Sequence, residues 1–94
     1  MSQENMIAGG YTTYSCVISN DAKASFEEAT ANFTGVEYSP VAVASQVVAG
    51  TNYRFFCNAR MVIPEPANDA ALVTVFQPLP GQGKATITDI RRVS

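Results

Sequence analysis

Apolar and polar side chains alternate along the chain after Gly50, over residues 53–60. This two-residue period is typical of a β-strand with one buried face. Residues 41–48 are rich in small and β-branched side chains, and residues 49–52 include the glycine and asparagine that tight turns favour. The pattern predicts a β-hairpin with a turn over residues 49–52. The inward-facing side chains of its second strand would be Tyr53, Phe55, Cys57 and Ala59.

Val47 and Val48 fall at or near the tip of this predicted hairpin. An exposed tip ordinarily carries polar residues, because apolar side chains gain nothing there from the protein's own core. Two valines in that position therefore predict a contact surface for another molecule. The alternative is an ordinary hairpin in which the valines pack locally.

A helical period replaces the alternation between residues 21 and 33. The apolar positions there fall on one side of a helix, and charged side chains fall on the other. Ser19 or Asn20 can serve as the N-cap, and Gly35 is suited to the conformation that follows a last helical turn. The prediction is one amphipathic helix, and its apolar face would be Ala22, Phe26, Ala29 and Phe33.

The chain after Gly35 is predicted to consist of strands and turns. The predicted strands are residues 36–48, 52–63, 70–77 and 84–93, with turns over residues 64–69 and 78–83. Pro40 cannot donate to a β-ladder, so the first strand should lie at an edge or contain a bulge. One helix followed by hairpin-linked strands predicts an α+β fold, an antiparallel sheet with the helix laid across it. A length of 94 residues predicts a single domain over residues 1–94.

Composition narrows the classes of partner and location. The net charge of -2 argues against nucleic acid and anionic membranes, because both require a basic patch. No segment has the length of a membrane span, and the N-terminus lacks the features of a signal peptide. We expect a cytoplasmic protein, with secretion by another route as the alternative. Cys16 and Cys57 are expected to be free thiols, since two cysteines are too few for a disulfide scaffold.

The usual groups of enzyme catalysis are missing from the sequence. There is no histidine, the commonest general base and a common zinc ligand. Residues 81–84 lack the length of a phosphate-binding loop. Glu27 and Glu28 are neighbours on the predicted helix and point in different directions, which is typical of a solvated face. We therefore predict a protein that is not an enzyme and that uses no metal or cofactor.

Three short motifs follow one another along the chain. Residues 6–10 read Met-Ile-Ala-Gly-Gly, residues 46–50 read Gln-Val-Val-Ala-Gly and continue as Thr-Asn-Tyr, and residues 75–82 read Val-Phe-Gln-Pro-Leu-Pro-Gly-Gln. Singly, each also fits an ordinary chain terminus, hairpin or turn. Together and in this order they resemble the stefins, the small intracellular branch of the cystatins, which inhibit papain-like cysteine proteases. Pro78 stands where stefins often have serine, and it should stiffen the second hairpin.

The resemblance implies a cystatin-like fold, in which the antiparallel β-sheet wraps around one α-helix and exposes the N-terminus and both hairpin tips at one edge. It also implies a reversible, tight-binding inhibitor that blocks the protease cleft with a tripartite wedge. The protease-binding residues would be Met6, Ile7, Ala8, Gly9 and Gly10 of an N-terminal arm, Gln46, Val47, Val48, Ala49 and Gly50 of the first hairpin, and Leu79, Pro80 and Gly81 of the second. The alternative is a protein-binding module that keeps this fold and does not inhibit.

The first hairpin also suggests a route to a dimer. If Val48 adopts a strained backbone angle, opening the hairpin would relieve the strain and allow domain swapping. A swapped dimer would bury residues 46–50 in a continuous strand. We therefore expect the monomer to be the active form.

Overall fold

The computed structural model describes residues 10–63 and 68–93. These residues form one helix and a four-stranded antiparallel sheet in which each strand pairs with the next along the chain. The predicted α+β class, a helix packed on an antiparallel sheet, is confirmed. Within the described residues, no helix has the length and apolar character required to span a bilayer. The elements are α1 (Asn20–Thr30), β1 (Val36–Val48), β2 (Gly50–Met61), β3 (Asn68–Gln77) and β4 (Thr86–Val93).

Helix α1 begins at a predicted N-cap and ends earlier than predicted. Ser19 is the N-cap, and its hydroxyl accepts a hydrogen bond of 3.1 Å from a backbone amide of the first turn. The helix stops at Thr30, whose hydroxyl donates to the Phe26 carbonyl at 2.8 Å. Asn32 and Phe33 are weak helix formers, so the last predicted residues, 31–33, do not continue the helix. Phe33 therefore lies beyond the helix, where it is exposed.

Strand β1 lies at one edge of the sheet, and its register with β2 shifts just after Pro40. The edge position and the bulge predicted from this proline are both confirmed. Past the bulge, the N-terminal segment pairs with the outer side of β1. Ser15 and Val43 exchange two backbone hydrogen bonds of 2.9 Å, and the Thr12 amide donates to the Ser45 carbonyl at 2.8 Å. These bonds satisfy backbone groups that an open edge would leave unpaired.

The turn between β1 and β2 is tighter than the predicted turn over residues 49–52. Val48 pairs with Gly50, so Ala49 alone stands between the two strands. Thr51 and Asn52 belong to β2. Thr51 has a pairing partner on both sides, in β1 and in β3. Backbone pairing on two sides outweighs the local turn preference of these residues, and the turn prediction was wrong for that reason.

Three other strand boundaries differ from the prediction by two residues. β2 ends at Met61, β3 begins at Asn68 and β4 begins at Thr86. The early start of β3 follows from its pairing with β2, because Asn68 is opposite Arg60 and Asp69 is opposite Ala59. Asp69 also forms an exposed ion pair with Arg92 of β4, at 2.8 Å between Oδ2 and Nε, which adds little to stability.

The core lies between α1 and the inner face of β2 and β3. Phe26 of the helix meets Phe55 of β2 edge to face, with ring centroids 4.8 Å apart. Cys57 is fully buried, and burial raises the pKa of its thiol to about 12. Cys16 is exposed, and both cysteines are free, which confirms the prediction of two thiols. The inward face predicted for β2 is confirmed as well, with Phe55, Cys57 and Ala59 buried and Tyr53 half-buried.

Candidate functional site

Two loops lie at the same end of the sheet because consecutive antiparallel strands reverse direction. We call residues 46–50 the first tip and residues 78–85 the second loop. Thr51, next to the first tip, pairs with Gln77, which immediately precedes the second loop. The connection between β2 and β3 lies at the opposite end. The fold therefore brings together two of the three predicted site segments, although they are about thirty residues apart in sequence.

The first tip is apolar and exposed. Val47 is 61% exposed and Val48 is 42% exposed, as the predicted contact surface requires. Beneath them, the Asn52 side chain donates to Gln46 Oε1 at 2.8 Å, which ties β1 to β2 at the base of the tip. Asn52 was predicted to lie in the turn, but it bridges the hairpin instead, because it lies in a strand opposite Gln46.

Gly50, the last residue of the first tip, packs closely against the end of β3, where the second loop begins. Its φ of +122° lies in the range that side chains disfavour. A Cβ placed on Gly50 would be 2.5 Å from the Gln77 carbonyl oxygen and 2.9 Å from Cε1 of Phe76. Only a glycine therefore permits this approach of β2 to the end of β3. The spacing between the two loops is set at this contact.

The second loop carries its apolar group on a tight turn. The Gln82 amide donates to the Leu79 carbonyl at 3.0 Å, and Gly81 has a φ of +81°. Proline followed by a glycine of positive φ, inside such a hydrogen bond, is typical of a type II turn. Leu79 begins this turn and is 45% exposed. Leu79, Pro80 and Gly81 are all exposed at the end of the sheet that carries the first tip.

The N-terminal segment runs along β1 in the direction of the first tip. Ser15 is paired with Val43 and Thr12 with Ser45, so the chain approaches the tip as it is followed back towards its start. The Arg54 guanidinium lies 4.0 Å from the centroid of the Tyr11 ring, a cation–π contact that fastens the segment to β2. Of the predicted arm, Gly10 is half-buried and residues 6–9 lie outside the described residues.

An open cleft of about 490 Å³ lies between α1, the start of β2 and the second loop. Asp21 and Glu28 contribute carboxylates to its lining. Tyr53 also lines it, and burial, with the Asp21 carboxylate as a smaller cause, raises the pKa of the phenol. Across the described parts of the chain, no group of three or more His, Cys, Asp or Glu side chains could hold a metal ion. The cleft is lined by hydrogen-bonding groups, and the sequence contains no histidine that could supply an imidazole to it.

Three side chains link α1 to the end of β3 and the second loop. Ser25 and Gln77 were not singled out from the sequence, whereas Glu28 was assigned to a solvated face and is exposed as well as hydrogen-bonded. The Ser25 hydroxyl donates to Gln77 Oε1 at 2.7 Å, and the Gln77 amide nitrogen donates to the Pro78 carbonyl at 3.1 Å. Glu28 Oε1 accepts a hydrogen bond of 2.8 Å from the Ala85 amide. The one available signal was the position of Ser25, a polar residue within the apolar stripe of the helix.

Comparison of this chain with protein-family models, with curated proteins and with solved structures found no match in any of the three. The geometry of the first tip and the second loop, together with the sequence motifs, therefore provides the grounds for assigning a function.

Proposed function

We propose that this protein is a reversible, tight-binding inhibitor of papain-like, cathepsin-type cysteine proteases. The observation that carries the proposal is that Val47, Val48 and Leu79 are exposed at one end of the sheet, on two loops next to the pairing of β2 with β3. The resemblance to stefins implies that this apolar end of the sheet binds in the active-site cleft of the protease. On this proposal the fold is cystatin-like, with the sheet wrapped around α1.

The wedge would consist of three parts. The N-terminal arm, Met6 to Gly10, would enter the non-primed subsites, and the first tip would cover the catalytic cysteine and histidine. Leu79, Pro80 and Gly81 would occupy the primed side. Gly9 would let the arm turn away from the protease nucleophile, so that no peptide bond is offered for attack. The inhibitor would then block the cleft without covalent chemistry.

The affinity of such a wedge can be estimated from its exposed apolar groups. Val47, Val48 and Leu79 are each about half exposed in the free protein. Full burial of a side chain of this kind contributes about 1.5–3 kcal/mol, so completing the burial of all three contributes roughly 3 kcal/mol. That energy corresponds to about 150-fold in Kd. Rigid loops add to this advantage, because little conformational entropy is lost on binding.

The proposed active form is a cytoplasmic monomer. In a domain-swapped dimer the first tip would be part of a continuous strand, and the two valines could no longer enter a cleft. The proposed partners are papain-like proteases, without nucleic acid or membrane.

A pair of charge variants tests the proposal. Val48→Asp places a carboxylate where the wedge would be desolvated, and an unpaired buried charge costs several kcal/mol. We expect the inhibition constant for papain to rise by at least about 100-fold. Val62→Asp is the matched control, because Val62 is 56% exposed and lies at the opposite end of the sheet.

The control variant should inhibit papain as the unmodified protein does. Equal loss of inhibition in both variants would show that the first tip is not the contact surface. An unmodified protein that leaves papain fully active would overturn the proposal and leave the non-inhibitory binding module.

A further inference from the structure

The second loop is fastened to α1 at both of its ends. At its start, the Ser25 hydroxyl holds Gln77 Oε1, and the same Gln77 amide group holds the Pro78 carbonyl through its nitrogen. At its far end, the buried residue Ala85 donates its amide to the Glu28 carboxylate. Between these two ties, the type II turn at Leu79 has its own internal hydrogen bond. The second loop thus contains one hydrogen-bonded turn, and hydrogen bonds to the helix hold it at both ends.

Gln77 also belongs to the contact between the two loops. Its backbone carbonyl is the group that a side chain at Gly50 would strike, while its side chain lies between Ser25 and Pro78. A displacement of Gln77 would therefore change the spacing between the first tip and the second loop. Ser25 holds the side chain of this residue and so links the helix to that contact.

Ser25 is too deeply buried to contact a partner protein directly. Ser25 is only 3% exposed, so its hydroxyl cannot reach another protein. A buried hydroxyl that lacks a hydrogen-bond partner lowers stability, because its desolvation is not compensated. The Ser25 hydroxyl has a partner, Gln77 Oε1, at 2.7 Å. Any effect of Ser25 on binding must act through the position of the second loop.

We propose that Ser25 and Glu28 are positioning residues, which hold the second loop at a fixed distance from the first tip and so preorganise the binding surface. The consequence for protease affinity rests on the proposed function, whereas the consequence for loop order does not. Loss of either tie leaves the apolar groups in place but lets the loop sample positions that do not fit one cleft. The fraction of molecules with a competent surface falls, and the apparent Kd rises by the same factor.

Backbone order in the second loop provides the first test, and it needs no protease. The amides of Leu79, Gly81 and Gln82 should have order parameters near about 0.85 in the unmodified protein and fall towards roughly 0.6 in Ser25→Ala. Ser19→Ala is the matched control, because it removes a hydroxyl from the same helix at its N-cap. The control should lower stability without changing the order of the loop.

Glu28 provides a second pair of variants. Glu28→Gln retains an oxygen acceptor for the Ala85 amide and should keep the loop as ordered as in the unmodified protein, whereas Glu28→Ala should loosen it. If Glu28 contributed only to overall stability, Glu28→Gln and Glu28→Ala would not differ in their effect on the order of the second loop. Unchanged order parameters in both Ser25→Ala and Glu28→Ala, or an equal fall in Ser19→Ala, would overturn the proposal.

Inhibition of papain supplies the second readout. Ser25→Ala should raise the inhibition constant roughly fivefold, the effect of one lost hydrogen bond, and Ser19→Ala should leave it unchanged. If the unmodified protein does not inhibit papain, the proposed function fails while the order parameters still decide whether Ser25 and Glu28 position the loop. If papain is inhibited and the loop stays ordered in both loss variants, the positioning role fails alone.

Discussion

Replacement of Gly50 by alanine is the sharpest perturbation of the contact between the first tip and the second loop. The new Cβ would lie 2.5 Å from the Gln77 carbonyl oxygen, a backbone atom that cannot swing aside as a flexible side chain can. Phe76 blocks a second direction, with Cε1 at 2.9 Å. The variant must therefore separate β2 from the end of β3 or distort the first tip.

Two contributions determine the size of the effect. A non-glycine residue at a φ of +122° costs about 1–3 kcal/mol in backbone strain. Forcing extra volume into a packed contact costs a further ~1–3 kcal/mol. We expect the free energy of unfolding to fall by about 4 kcal/mol, a large share of the 5–15 kcal/mol that is typical of a native domain.

Gly35→Ala measures the first contribution alone, so the difference between the two variants gives the second. Gly35 also has a positive φ, +88°, but a Cβ there would meet nothing within 4 Å. It should cost only the backbone strain, about 1–2 kcal/mol. Urea unfolding followed by circular dichroism gives both free energies. If Gly50→Ala is no more destabilising than Gly35→Ala, the tight approach of Gly50 to Gln77 does not exist in solution.

Five further predictions concern the core, the thiols, the arm and the oligomer. Phe26→Ala should lower the free energy of unfolding by about 3–5 kcal/mol in thermal or urea unfolding, because it removes the helix ring packed 4.8 Å from Phe55. A thiol reagent at neutral pH should label Cys16 alone in the native protein and both cysteines in denaturant. Because burial raises the Cys57 pKa from 9.0 to about 12, the unfolded chain releases this proton first, so stability should be unaffected by Cys57 below about pH 9 and fall as the pH rises towards 12 in urea titrations. Deletion of residues 1–9 should weaken inhibition of papain mainly through faster dissociation in stopped-flow measurements, and an unchanged dissociation rate would mean that the arm is passive. Heating should produce dimers on gel filtration that no longer inhibit papain, and fully active dimers would contradict domain swapping through the first tip.

Local pattern was enough to predict the strands that carry the core. The alternation after Gly50 identified Phe55, Cys57 and Ala59 as buried. This was possible because successive side chains of a strand point to opposite faces of the sheet. Pro40 similarly revealed the edge strand and its bulge, since its missing amide has a local consequence. The exposed valines of the first tip followed from the same pattern.

Features that depend on distant partners could not be predicted in this way. Thr51 lies between a glycine and an asparagine, which favour turns, and its pairing with Val47 and with Gln77 keeps it in a strand. The hydrogen bond from Ser25 to Gln77 joins residues 52 positions apart, and no periodicity encodes such a contact. Helix α1 ended before Phe33 because Asn32 and Phe33 are weak helix formers. The apolar spacing of four residues, from Ala29 to Phe33, concealed this weak local effect.

Titration of papain with the unmodified monomer tests the central claim most directly. Residual protease activity is followed as the protein is added at a papain concentration well above the expected Kd. The proposed function predicts that papain activity falls linearly and reaches zero at one equivalent of protein. Full papain activity in the presence of a large molar excess of the folded monomer would contradict it.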